Sequence, residues 1–166
     1  MTSTKMERLQ LLFVLLIAAI LRMAVPGISE FKADEARLYT VAYGLATGES
    51  LPLHGIGSSI GLPNFPLSVW LYAVPISLWR HPYSAILFTG LLSTVSVYAS
   101  WWFTRRYWGA RTGILCALFF SVSPWAVIFS RKIWAQNLLP LFVLGWAISA
   151  VMTFASGRRG AALVHG

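Results

Sequence analysis

Apolar residues gather into four long runs, Leu9–Val25, Tyr83–Phe103, Thr112–Phe129 and Leu138–Ala155, and one shorter run, Phe65–Trp79. A helix needs about 20 mostly apolar residues to cross a bilayer. The four long runs therefore predict four transmembrane helices. Pro26-Gly27 ends the first, Gly157 ends the last, and Pro124 predicts a kink in the third. The shorter run has Pro66 near its start and Pro75 inside it. Its length suits a re-entrant or interfacial segment. The expected fold is all-α: an integral membrane helical bundle of four transmembrane helices plus outer-face juxtamembrane helices, one membrane domain over residues 1–166.

Between the first two spans lies a long connection, residues 27–82. Within it Leu38, Val41, Ala42 and Leu45 follow the spacing of one helical face. Asp34 can cap that helix and Gly48 can end it. The stretch Gly55–Pro66 is rich in Gly, Ser and Pro and reads as irregular backbone.

Only 11% of the residues are charged and 57% are hydrophobic, against roughly 25% charged in soluble domains. The net charge is +8, but the basic residues flank apolar runs, as they do when they orient a membrane chain. Nucleic acid is not an expected partner. Cys116 is the only cysteine. It excludes an internal disulfide and a cysteine metal motif, and reads as a small core residue. Lys5 and Arg8 precede an uncleaved first helix. With both termini cytoplasmic and Phe65–Trp79 not spanning, Lys5, Arg8, Arg105, Arg106, Arg111, Arg158 and Arg159 all lie inside and residues 27–82 outside. A multi-pass plasma-membrane location follows.

Of 5 acidic residues, Glu30, Asp34, Glu35 and Glu49 share that outer connection. Carboxylates held against a bilayer are costly, so the cluster is a candidate for chemistry. Asp34 has two readings, as a helix cap or as a general base or metal ligand. Glu35 projects about 100° away from it, and Arg37 can pair with Asp34. Arg131 and Lys132 form a second cluster between two spans. They are either snorkelling residues or a clamp for a lipid-linked phosphate. Trp134, Gln136 and Asn137 could hold a sugar or headgroup, and Asn64 could orient a substrate or start a turn. His54 and His81 are more readily exposed loop histidines than metal ligands. The span interiors carry almost no ionisable residues, which counts against an ion or proton pathway.

The opening Asp34-Glu35-Ala36-Arg37-Leu38-Tyr39 resembles the first outer loop of the GT-C superfamily of membrane glycosyltransferases. Family 39 and protein-mannosyltransferase-like enzymes, including lipid A aminoarabinose transferases, are the nearest in pattern. Leu62–Leu71 resembles their juxtamembrane Pro-Pro-Leu-x-x-Trp-Leu helix, with Asn64 where many carry a charged or metal-binding residue. Arg105–Arg111 resembles their cytoplasmic turn. Ser123-Pro124-Trp125 and Ser130-Arg131-Lys132 resemble the elements that follow. The resemblance implies sugar transfer from a polyprenyl-phosphate donor, with inversion, to an acceptor at the outer face, and a catalytic role for Asp34. Glu35, Arg37, Asn64, Arg131, Lys132, Gln136 and Asn137 are then the candidate substrate-binding residues. A divalent metal ion is one cofactor the resemblance allows. Family members have many more helices, so it covers an N-terminal portion, expected to be a fragment or a degenerate short homologue. The alternative is a non-catalytic membrane scaffold or lipid-binding protein.

Overall fold

The computed structural model describes residues 2–28, 30–57 and 61–156. Among these residues seven helices follow one another: α1 (Thr2–Met23), α2 (Ala33–Thr47), α3 (Leu67–Leu78), α4 (Pro82–Trp108), α5 (Ala110–Val122), α6 (Pro124–Phe129) and α7 (Leu139–Ser156). Short 3₁₀ turns at Pro26–Ile28 and Ala135–Leu138 lead out of α1 and into α7. Among the described residues there is no strand, only an isolated bridge between Gly57 and Pro63.

Two cores share α4. One joins α1, α4 and α5 through Val14, Ala18, Val97 and Ala117. The other lies at the opposite end of α4, where Ala85 and Ile86 meet Leu38 and Ala42 of α2 and Val69, Tyr72 and Ile76 of α3. Gly90 sits between the cores. A Cβ there would lie 2.8 Å from the Met23 side chain and 3.0 Å from the Arg22 carbonyl, so only glycine admits this approach of α1 to α4.

Among the described residues two elements are long and apolar enough to cross a membrane, Pro82–Trp108 and the stretch Ala135–Phe154. The other two of the four runs expected to cross form no single helix of that length and composition among the described residues. In α1, Glu7 and Arg8 stand in the helix before the apolar run, and Arg22 stands within its last turn. Thr112–Phe129 is not one kinked helix. It is broken at Ser123 into α5 and the single short α6, because Pro124 has no N–H to continue the ladder. The shorter run forms α3 with Pro75 inside it. Cys116 is half-buried rather than a core residue.

Charged side chains tie the helices together. Arg105 of α4 forms a two-point ion pair with Glu7 of α1. Arg22 is wholly buried. Its Nε donates to Ser93 Oγ at 2.9 Å, Nη1 to the carbonyls of Ala18 and Ser121, and Nη2 to that of Phe120 at 2.8 Å. The expectation of span interiors almost free of ionisable groups misses this residue. It joins α1, α4 and α5 in one network.

Candidate functional site

The acidic start of α2 folds differently from the sequence expectation. Lys32 is the N-cap, and Glu35, three residues on, accepts its backbone N–H at 3.0 Å. That is the return half of a capping box, placed where helix-dipole charge favours a carboxylate. Glu35 is buried in this role. Asp34 is therefore not the cap. Its exposed carboxylate makes no hydrogen bond or ion pair with any described residue, and neither does Arg37 one turn later. The expected Asp34–Arg37 pair does not form. At the other end Gly48 closes α2 in the left-handed conformation, φ 80°.

Asp34 and Arg37 both face a cavity of about 460 Å³, lined also by Asn64, Trp134 and Gln136. Three stretches far apart in sequence thus converge on one space. Asn64 is held by its Nδ2, which donates to the Ile56 carbonyl at 2.8 Å. Its Oδ1, an acceptor, takes no hydrogen bond from any described residue. Trp134 is held from behind by Tyr72. The phenol exchanges hydrogen bonds with the Trp134 carbonyl (3.1 Å) and N–H (3.2 Å), and pairs with Thr89 at 3.0 Å. Burial pushes the Tyr72 phenol up to about 12. Nothing in the sequence of α3 distinguished this tyrosine from an ordinary apolar-face residue.

A second hollow of about 280 Å³ lies on the other side of Asp34 and Trp134. Lys132 and Asn137 line it, with Glu30, Lys32 and Glu35. Glu30 bridges Lys32 (2.9 Å) and Lys132 (3.1 Å). The hydrogen bond from Lys32, then that from Lys132, holds the Glu30 carboxyl below its ordinary value. Asn137 donates to the Lys132 carbonyl at 3.2 Å.

Arg131 stands apart from both spaces. Its Nη1 donates to the Leu21 carbonyl at 2.6 Å, and its Nη2 to those of Ala24 and Val25, each at 2.7 Å. At this end of α1 the Leu21 and Ala24 carbonyls receive no backbone N–H among the described residues, and that of Val25 also accepts the Ile28 N–H at 3.2 Å. Arg131 thus serves as a long-range cap. The structure brings Asp34, Arg37, Asn64 and Gln136 together, places Lys132 and Asn137 next to them, buries Glu35 as a capping residue, and turns Arg131 away.

His81 caps α4, accepting the Tyr83 N–H on Nδ1 at 3.2 Å, and stacks on Trp79. No group of three His, Cys, Asp or Glu side chains suited to a metal ion occurs among the described residues. No family model, curated protein or solved structure matches the chain.

Proposed function

We propose that this chain is a membrane glycosyltransferase, or the N-terminal part of one, that moves a sugar from a polyprenyl-phosphate donor to an acceptor hydroxyl at the outer face of the plasma membrane. The supporting observation is that Asp34 and Arg37, both without a partner among the described residues, line one polar cavity with Asn64 and Gln136. Capping would have consumed Asp34, and Glu35 does that work instead.

Asp34 accepts the acceptor hydroxyl proton. The acceptor oxygen bonds the sugar C1 as the C1–O bond to phosphate breaks, and the electron pair leaves on the polyprenyl phosphate, with inversion at C1. Arg37 offers a fork of donors to that leaving charge. Lys132 can exchange Glu30 for phosphate. Asn64 and Gln136 hold the sugar. Arg131, engaged with α1, is the weakest of the candidate donor ligands. The proposed topology is four crossings, with α5 and α6 together making one, both termini cytoplasmic, and α2 and α3 on the outer surface.

A lipid-binding protein without catalysis is the second reading. It is favoured by an apolar groove of about 390 Å³ between α3 and α7, which runs from Asn64 and Gln136 to Phe142.

Asp34→Asn decides between them in the longest reading frame that contains this chain. The neutral amide keeps the size of the side chain, so the variant should insert and fold. Sugar transfer from a polyprenyl-phosphate donor should fall by about two orders of magnitude. Near-normal transfer by the folded variant rules out the catalytic role.

A further inference from the structure

Charge is divided along the length of α4. The sequence has five acidic residues. Glu30, Asp34, Glu35 and Glu49 lie on or beside α2, which shares a core with Ala85 and Ile86 at the start of α4. Arg105 stands 20 residues beyond Ala85 on the same helix, about 30 Å along the axis. There Arg105 donates from Nε and Nη2 to both carboxylate oxygens of the fifth acid, Glu7 of α1.

That ion pair holds the start of α1 against the end of α4. It brings Lys5 and Arg8 to the same end of the bundle as Arg106 and Arg111. All four are exposed, and none has a hydrogen bond or ion pair with a described residue. Arg111 lines a hollow of about 210 Å³ between α1 and the start of α5, with Met6, Gln10 and the already paired Glu7. The one acid at this end is taken by Arg105, and the other four lie toward the far end of α4. Four cations therefore stand together with no carboxylate side chain of this sequence to neutralise them.

Apolar surface adjoins these cations. Leu9, Leu12, Leu16 and Ile20 follow one another at helical spacing along α1, and each is more than half exposed. Lys5 and Arg8 stand one turn before Leu9 and Leu12, at the head of that stripe. A ligand that covers the whole surface must carry negative charge and a length of hydrocarbon. Nucleic acid or an acidic peptide would meet the cations and leave the stripe in water. A phospholipid meets both. The position agrees, because α4 is long and apolar enough to cross a bilayer, and a crossing helix has its end at an interface. Exposed Tyr107 and Trp108 at that end suit the same boundary.

We infer that this end of the bundle binds anionic glycerophospholipids of the inner leaflet, with the phosphate among Lys5, Arg8, Arg106 and Arg111 and an acyl chain along the apolar stripe of α1. The inference rests on the proposed membrane placement and not on sugar transfer.

The test uses the whole chain in detergent, with dioleoyl phosphatidylglycerol and dioleoyl phosphatidylcholine as competing probes read by native mass spectrometry. Wild type should retain phosphatidylglycerol over phosphatidylcholine by at least tenfold. Arg8→Gln, Arg106→Gln and Arg111→Gln remove exposed charges without removing a described contact. Each should lower the preference by about fivefold. Arg106→Lys and Arg111→Lys keep the charge and should keep the preference, and Arg80→Gln, near the start of α4, should change it by less than about twofold. Equal retention of both lipids by wild type, or an unchanged preference in the Arg106→Gln, Arg111→Gln double variant, overturns the inference. So does displacement of the lipid, at constant ionic strength, by inorganic phosphate, by glycerophosphoglycerol without acyl chains, or by an oligonucleotide. A chain that does not float with liposomes refutes the membrane placement itself. One that floats without headgroup preference refutes only this site.

Discussion

Arg22 donates to the carbonyl of Phe120 at 2.8 Å, the one carbonyl that Pro124, four residues later, cannot serve. A proline that breaks a helix leaves an acceptor behind. In this chain a side chain from another helix supplies the missing donor. The buried arginine and the break between α5 and α6 are two halves of one arrangement.

That pairing predicts a coupling. Pro124→Ala restores an N–H to the Phe120 carbonyl, so loss of Arg22 should then cost less. In a double-mutant cycle of Arg22→Leu and Pro124→Ala, followed by denaturant unfolding in detergent, the coupling should be about 0.5–3 kcal/mol. Additive effects would mean that the arginine does not serve that carbonyl.

Arg131 should behave as a stability residue. Arg131→Ala removes three contacts to the end of α1. One charge-assisted contact is worth about 1.5–3 kcal/mol, so unfolding should come distinctly earlier in denaturant. Polyprenyl-phosphate affinity should change little in the folded variant. The opposite pattern, normal stability with lost lipid affinity, would restore Arg131 to the phosphate clamp.

Alkaline pH should loosen the core shared by α2, α3 and α4 through Tyr72. Its folded value is raised to about 12 because burial disfavours the phenolate. A raised value contributes stability that is complete below the unfolded value, near 10, and is lost as pH rises through the folded one. The thermal transition should therefore fall between about pH 10 and 12. Tyr72→Phe should be less stable at pH 8 but show a shallower fall over that window. Identical pH profiles for both proteins would remove Tyr72 from the account.

Topology can be read chemically. On a background without Cys116, an impermeant thiol reagent should label a cysteine at Glu49 in intact cells, and one at Gly109 only after permeabilisation. Labelling at Gly109 from outside would mean that Phe65–Trp79 crosses the membrane.

Much of this arrangement is legible in the residues. The spacing of Leu38, Ala42 and Leu45 gives α2 and its buried face, and Gly48 gives its end. The proline-flanked run gives α3. The sequence also picks out Asp34, Arg37, Asn64 and Gln136, which meet at one cavity. Capping could not be settled in the same way. Asp34 and Glu35 are both good first-turn residues, and the choice turned on whether the backbone entered the helix at Lys32. The partners of Arg22 and Arg131 were hidden for a different reason. Both serve carbonyls about 100 residues away in the chain, and backbone acceptors carry no residue type to read. Arg22 itself was visible, since a charge in an apolar run is a signal whatever its partner.

The Tyr72–Trp134 contact has a consequence for biogenesis. The two residues are 62 apart in sequence, and the cavity wall at Trp134 is complete only when the later one is in place. At ribosomal speeds of about 5–20 residues per second, α2 and α3 are made several seconds before the segment that closes over them. During that interval the Tyr72 hydroxyl lacks its Trp134 partner, although α2 and α3 can already pack on each other and on α4. The site is thus completed only once Trp134 has been made, and its first half stays open until then.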